Sequence, residues 1–212
     1  MGYLVNPHDI TDFDRSIKDL QTVILFWIAA AGKKATTAAK SLDSLLRRGK
    51  EMFGVSLPFS ILEAFGDGLA EAMREQGMGC YNNKSRSMLA LARSGINLQT
   101  CSVEDLESIP GIGPKTARCF LIHSRRGVRY AGLDTHVLKY MREMGFDVPK
   151  STPTGRKYSE IESVFLDMAD ASGMSLADFD LLIWRKYESK GAIADRGSRR
   201  DRFKALEEDD IV

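Results

Sequence analysis

Cysteine is scarce. The 212 residues hold three, Cys80, Cys101 and Cys119. An odd, widely spaced set offers no paired framework, excludes a disulfide-stapled secreted scaffold and fits reduced thiols. Long apolar runs are missing as well. None approaches the ~18 residues needed to span a bilayer, and the longest, Thr22 to Gly32, reads as a buried helix. A basic-then-apolar leader is not seen either, since Met1-Gly2-Tyr3 runs into polar residues. Met-Gly fits a myristoylation start, but Asn6 stands where that pattern needs Ser or Thr. These absences predict a cytoplasmic (nucleoid) or nuclear protein that is not secreted and has no membrane partner. No alternating strand pattern and no internal repeat occurs, so the chain is expected to be all-α, with about ten helices.

What is present supports a packed helical protein: 43% of residues are hydrophobic and 28% charged. Ile17, Leu20, Ile24 and Ile28 lie on one face of a helix expected over 14–31, with Phe26 and Trp27 widening the apolar stripe. A second helix is expected from Ala35 to Arg48 with Gly49 as its stop. Pro58 opens a short third helix ending near Gly66, and Asp67 is placed to cap the next, which ends near Gln76. After a break at Gly77-Met78-Gly79, a helix is expected from about Lys84 to Arg93. Further on, Ile161, Phe165, Met168 and Ala169 keep helical spacing, and Ser175 is placed to cap a helix from Leu176 to about Tyr187. The tail after Lys190 is charged and lacks apolar periodicity.

The densest punctuation lies between Leu106 and Val137. Ser102 and Asp105 form a capping-box pattern for a short helix that must stop before Pro110. Ile109-Pro110-Gly111-Ile112-Gly113-Pro114-Lys115-Thr116-Ala117 reads as a glycine turn entering a helix, with Gly111 and Gly113 free to take angles closed to other residues and Pro114 suited to a first helical turn. The free N–H groups of such a helix start suit a phosphate and grip a nucleic-acid backbone without reading its sequence. Gly132-Leu133-Asp134-Thr135-His136-Val137 reads as a second turn with Asp134 as N-cap. Although the net charge is only +1, residues 111–142 hold seven Lys or Arg against Asp134 alone. That basic stripe fits a phosphate-binding face; a solvated helix face would look the same.

IPGIGPKTA followed by GLDTHV resembles the helix-hairpin-helix DNA glycosylases, the base-excision superfamily that includes endonuclease III. The resemblance spans about residues 20–190 and is sharp in these two motifs. It implies two helical lobes with a DNA-binding cleft between them, one over 14–127 ending in the hairpin and the other combining 1–13 with 128–212. It implies Lys115 as nucleophile and Asp134 as catalytic carboxylate, with Gly111, Ile112, Gly113, Thr116, Arg118 and His136 on DNA. Gly79 to Ser85 resembles a family turn near the void left by an extruded base, which Tyr81 or Asn82 could help fill; a capping Asn82 with a packed Tyr81 ring is the alternative. No cysteine follows Cys119, so the four-cysteine iron–sulfur cluster of some relatives is not expected. No cofactor is implied, beyond a monovalent cation that the carbonyls of Glu107, Ile109 and Ile112 could hold.

Residues 145–184, with VPKSTP and ADFDLLIW, resemble the thermostable archaeal type of 8-oxoguanine DNA glycosylase, which implies Trp184 as a stacking platform for the extruded base; a core Trp on an amphipathic helix is the other reading. The implied activity is that of a monomeric base-excision glycosylase/AP lyase on double-stranded DNA, removing an oxidised base, 8-oxoguanine first. Lys115, its pKa lowered by burial, would attack C1′ and form a Schiff base. A glycosylase for an oxidised pyrimidine or a deliberately modified base, and a non-catalytic hairpin that binds DNA, are the alternatives.

Overall fold

The computed structural model describes residues 4–188; the charged tail and its Arg196, Arg199, Arg200 and Arg202 lie outside them. The described residues form ten α-helices and two 3-10 turns, with no strand among them. α1 (Ile17–Ala30) is the central rod. Ser16 caps it through the Asp19 N–H, so it starts three residues later than the apolar pattern suggests, and Ile17 is left largely exposed. Leu20, Val23, Ile24, Leu25, Phe26 and Ile28 are buried, and α1 packs on α2 (Ala35–Phe53), α3 (Pro58–Phe65), α5 (Tyr81–Arg93) and α7 (Pro114–Ser124). Its C-terminal carbonyls are anchored by the buried Lys84 on α5, whose Nζ donates to the Ala29 carbonyl at 2.6 Å.

α2 does not stop at Gly49. It runs on to Phe53 and ends at Gly54, which takes the left-handed conformation. Gly49 is a spacer instead. A Cβ there would sit 2.2 Å from Ile61 Cγ2 and 2.8 Å from Phe65 Cε2, and the missing side chain lets α3 lie against α2. Alanine at this position adds about 1 kcal/mol of helix propensity but overpacks the contact at a cost of about 1–3 kcal/mol. Gly49→Ala is therefore expected to lower the midpoint of urea unfolding; an unchanged or raised midpoint would show that α3 can shift freely.

Asp67 makes no cap. It sits inside a 3-10 turn (Gly66–Gly68) that leads directly into α4 (Leu69–Glu75). α5 begins at Tyr81, not near Lys84, because Cys80 turns the chain at a left-handed φ of 56°. Asn82 is thus a first-turn residue, and the N-cap position belongs to Cys80. α6 (Val103–Glu107) has the reciprocal Ser102/Asp105 capping box.

Two apolar clusters organise the molecule. The first joins α1–α7 and includes Leu181. The second joins Ala131 and Leu133 with α8 (Thr135–Glu143), α9 (Gly155–Ser172) and α10 over residues 176–188. The apolar residues of the N-terminal segment join the first cluster. Val5 and Ile10 bury in the first, and the Leu4 N–H donates to Asp43. The polar groups of that segment do reach α10: His8 stacks edge-on against Trp184, with ring centroids 5.2 Å apart, and pairs with Glu188.

Candidate active site

The turn between α6 and α7 is built as a grip. Ile109 accepts the Ile112 N–H at 3.0 Å, closing the loop, and the Ile109 and Ile112 side chains plug into the core beneath it. Pro110, Gly111 and Gly113 remain exposed at the tip. Gly111 has φ 87°, and a Cβ on it would strike Ser87 Oγ at 2.0 Å, so only glycine fits. Gly113 needs no such freedom: it is an extended N-cap with φ −94° and open space where a Cβ would stand. Pro114 is the first residue of α7, and the helix bonds begin with the Ala117 N–H to the Gly113 carbonyl. The first-turn N–H groups of Lys115 and Thr116 have no partner within the helix, an arrangement that suits an anion. The Thr116 side chain is buried, leaving only its backbone for that work.

Arg118 is not the open phosphate ligand that its sequence position suggests. Its Nε donates to Glu162 Oε1 at 2.9 Å, its Nη1 donates to Glu107, and its guanidinium lies 4.6 Å from the Tyr158 ring centroid. This nearly buried pairing ties the hairpin to α9. The same Glu162 oxygen accepts the Ala131 N–H at 2.8 Å. Tyr158 donates to the Ala131 carbonyl at 2.6 Å and accepts the Leu133 N–H at 3.1 Å, while Thr152 donates to the Leu133 carbonyl at 2.8 Å. The strand-like segment delivering Asp134 is therefore clamped by side chains from α9 and the loop before it. Gly132 presses against α7 where a Cβ would meet Cys119 Sγ at 2.2 Å.

Asp134 caps α8: its Oδ1 accepts the N–H groups of His136 (2.8 Å) and Val137 (2.9 Å). His136 stacks flat on Tyr187, with centroids 5.9 Å apart.

Lys115 points from the first turn of α7 into the space between the clusters. Its Nζ lies 4.7 Å from the centroid of the Trp27 ring. Burial opposes its charge, but Cys119, Asp134 and Asp180 face it and hold its pKa above the ordinary lysine value. Burial pushes the Cys119 thiol up, against the pull of the neighbouring Lys115 charge. The expected lowering of the Lys115 pKa by burial is thus reversed: the free protein holds an ammonium.

Four residues of this site are not legible as site residues in the sequence. Trp27 reads as a core ring, yet it borders Lys115 and stacks on His123 (5.6 Å between centroids, 16° between planes). Its Nε1 is the buried side-chain polar atom left without a hydrogen-bond partner among the described residues. His123 reads as a helix end; it is completely buried, bonded to Thr11 Oγ1 at 2.8 Å and to Asp180 Oδ2 at 3.1 Å. Asp180, buried on α10, and Cys119 complete the set. The one sequence signal is Asp180 itself, a carboxylate inside the otherwise apolar run FDLLIW. Trp184 lies one turn beyond Asp180, half-buried against the first cluster. Tyr81 packs against the same cluster from α5.

The helix-hairpin-helix motif family matches residues 96–123. Among characterised proteins, an 8-oxoguanine DNA glycosylase/AP lyase of Methanocaldococcus jannaschii is 29% identical over 133 residues, 55% of this chain and 60% of that protein. The enzyme of the same name from Picrophilus torridus is 36% identical over 80 residues, 37% of each chain. The chain thus aligns with less than two thirds of the length of these relatives. Among solved structures, the 8-oxoguanine DNA glycosylase of Thermotoga maritima superposes with a TM-score of 0.57 at 25% identity, over 81% of this chain and 80% of that one. The Methanocaldococcus jannaschii enzyme superposes with a TM-score of 0.59 at 23% identity, over 83% and 81%. The fold is shared across about four fifths of each molecule.

Proposed function

We propose that this chain, which carries a helix-hairpin-helix motif on the fold of the 8-oxoguanine DNA glycosylases, is itself a DNA N-glycosylase with AP lyase activity, acting as a monomer on duplex DNA that contains 8-oxoguanine. The observation that carries the reading is the setting of Lys115: a primary amine on the first turn of the hairpin helix, over an indole face, with two carboxylates directed at it.

The hairpin amides hold the backbone beside the lesion, and the target nucleotide must leave the stack because its glycosidic bond is inaccessible in a duplex. Breaking that bond puts positive charge on the sugar, which the fixed carboxylate of Asp134 stabilises. The departing purine needs a proton to leave as a neutral base. The Lys115 ammonium needs to lose one to attack C1′. One transfer serves both, so a lysine held charged in the free protein is compatible with the chemistry. The resulting Schiff base acidifies the 2′ position and permits β-elimination. Trp184 is the stacking platform for the base, and the unpaired Trp27 N–H is a donor that a base acceptor would satisfy. The Glu107, Ile109 and Ile112 carbonyls are where a monovalent cation would sit; Ile109 keeps one lone pair beyond its turn bond, and no step depends on that cation.

The test is borohydride trapping on duplexes carrying 8-oxoguanine, thymine glycol or an abasic site. Trapping on the 8-oxoguanine duplex establishes the activity and the lesion together. Trapping on thymine glycol moves the specificity to pyrimidines, and no trapping on any of them leaves a DNA-binding hairpin. Trp184→Ala is expected to weaken binding to the 8-oxoguanine duplex by about 1–3 kcal/mol, the worth of one base–aromatic stack, while affinity for undamaged duplex stays the same in a gel-shift titration.

A further inference from the structure

Lys115 is faced by two carboxylates, yet among the described residues it forms a contact ion pair with neither. Each carboxylate is tied elsewhere. Asp134 is fixed by two backbone N–H groups of α8. Asp180 is fixed by a single side chain, His123, through Nε2 at 3.1 Å. A carboxylate oxygen accepts, so the His123 Nε2 N–H donates to Asp180, and Nδ1 shares a hydrogen bond of 2.8 Å with the Thr11 hydroxyl. Parallel stacking on Trp27 and complete burial fix the ring plane. The backbone of His123 is fixed too: Arg15 Nη1 donates to its carbonyl at 2.6 Å and the Asp12 N–H at 3.1 Å. So rigid a mounting for one donor, with Trp27 between it and the amine, needs a reason.

We infer that His123 is a positioning residue that holds Asp180 off Lys115, so that the amine feels the carboxylate without closing an ion pair on it. This rests on the reading of Lys115 as the nucleophile. Freed from His123, a buried carboxylate with no other hydrogen-bond partner among the described residues would satisfy itself on the cation whose charge it already feels. A closed Lys115–Asp180 pair would quench attack. The charged or titratable groups around the pair are Cys119, Asp134 and Asp180 at Lys115, and Asp180 and Arg15 at His123.

The test measures single-turnover trapping on an abasic duplex across pH 6.5–9.5, a range taken below lysine's ordinary pKa of about 10.4. There no base departs to take the proton, and the rate rises as the amine is freed. His123→Phe keeps a ring on Trp27 and removes the donor; trapping at pH 8 is expected to fall about tenfold, the effect of moving the rising limb up by about one pH unit. His123→Gln keeps a donor and is expected to follow the parent profile. The double variant His123→Phe/Asp180→Asn is expected to recover the rate of Asp180→Asn alone, because no carboxylate remains to collapse. A merely structural His123 gives no such rescue and no shift of the limb, and either result overturns the inference. Should His123→Phe not fold, Thr11→Val, which removes only the brace on Nδ1, is expected to shift the limb the same way by a smaller amount; an unshifted limb there counts equally against it. Absence of any adduct from the parent protein overturns the function and this inference together, whereas a trapping parent with unshifted variants overturns the inference alone.

Discussion

Lys115→Gln is expected to abolish the borohydride-trapped adduct and to slow strand nicking by on the order of 10³-fold or more, the scale on which losing a covalent nucleophile is felt. No other lysine among the described residues is placed to substitute. Lys84 is buried, with its Nζ on the Ala29 carbonyl. Lys139 lies over the Tyr187 ring at 4.8 Å, on the outer side of α8. The substitution should leave the fold intact, because the ammonium closes no ion pair among the described residues and the amide side chain can still lie over Trp27. Duplex binding through the hairpin amides should persist, so a gel shift without an adduct is the expected pair of results. An adduct retained in the variant would remove Lys115 from the chemistry. The pH dependence follows from the sign of its shift. Since Cys119, Asp134 and Asp180 together hold the Lys115 pKa above its ordinary value, adduct formation on an abasic duplex should climb with pH well into the alkaline range. On a duplex whose base departs with the lysine proton, the climb should be much shallower.

The placement of Lys115 is legible in the sequence because the features that position it are local, whereas the segment carrying Asp134 is held by Thr152, Tyr158 and Glu162 from farther along the chain. A glycine at φ 87°, a proline at the first helical residue and a reciprocal Ser/Asp box are all written in consecutive residues. The residues that surround the amine are not. Trp27 comes from α1, 88 positions before Lys115, and Asp180 from α10, 65 positions after it; their own stretches read simply as apolar helices, since a helical stripe says which face is buried and not what it is buried against. Arg118 misleads for the same reason. Within a basic stripe it looks like a phosphate ligand, but Glu107 and Glu162, 11 and 44 residues away, neutralise it. Gly49 misleads in the other direction: the local rule makes a glycine a stop, while the α2–α3 contact makes it a spacer. The raised Lys115 pKa shows the limit of a one-cause argument, because burial does push it down while Cys119 on the same helix and the carboxylates of Asp134 and Asp180 reverse the result.

Asp134→Asn separates two jobs that one side chain performs. As N-cap, Asp134 supplies an oxygen to the His136 and Val137 N–H groups, and asparagine supplies the same oxygen. Thermal stability should therefore change by only a few tenths of a kcal/mol, whereas Asp134→Ala, which removes the acceptor, should cost about 0.5–2 kcal/mol. As a carboxylate, Asp134 places a full negative charge where the sugar becomes positive, and no amide can replace that. Single-turnover base release by Asp134→Asn is expected to fall by about 10²–10³-fold, the usual consequence of removing a fixed electrostatic partner of the transition state. Lyase action on a preformed abasic site should fall much less, since no glycosidic bond is broken there and no oxocarbenium charge develops. The contrast between substrates is the decisive reading. Equal losses on both would make Asp134 a partner of the amine and not of the sugar. An Asn variant that releases base at the parent rate would leave Asp134 with its cap alone and transfer the electrostatic role to Asp180, the other carboxylate directed at the site.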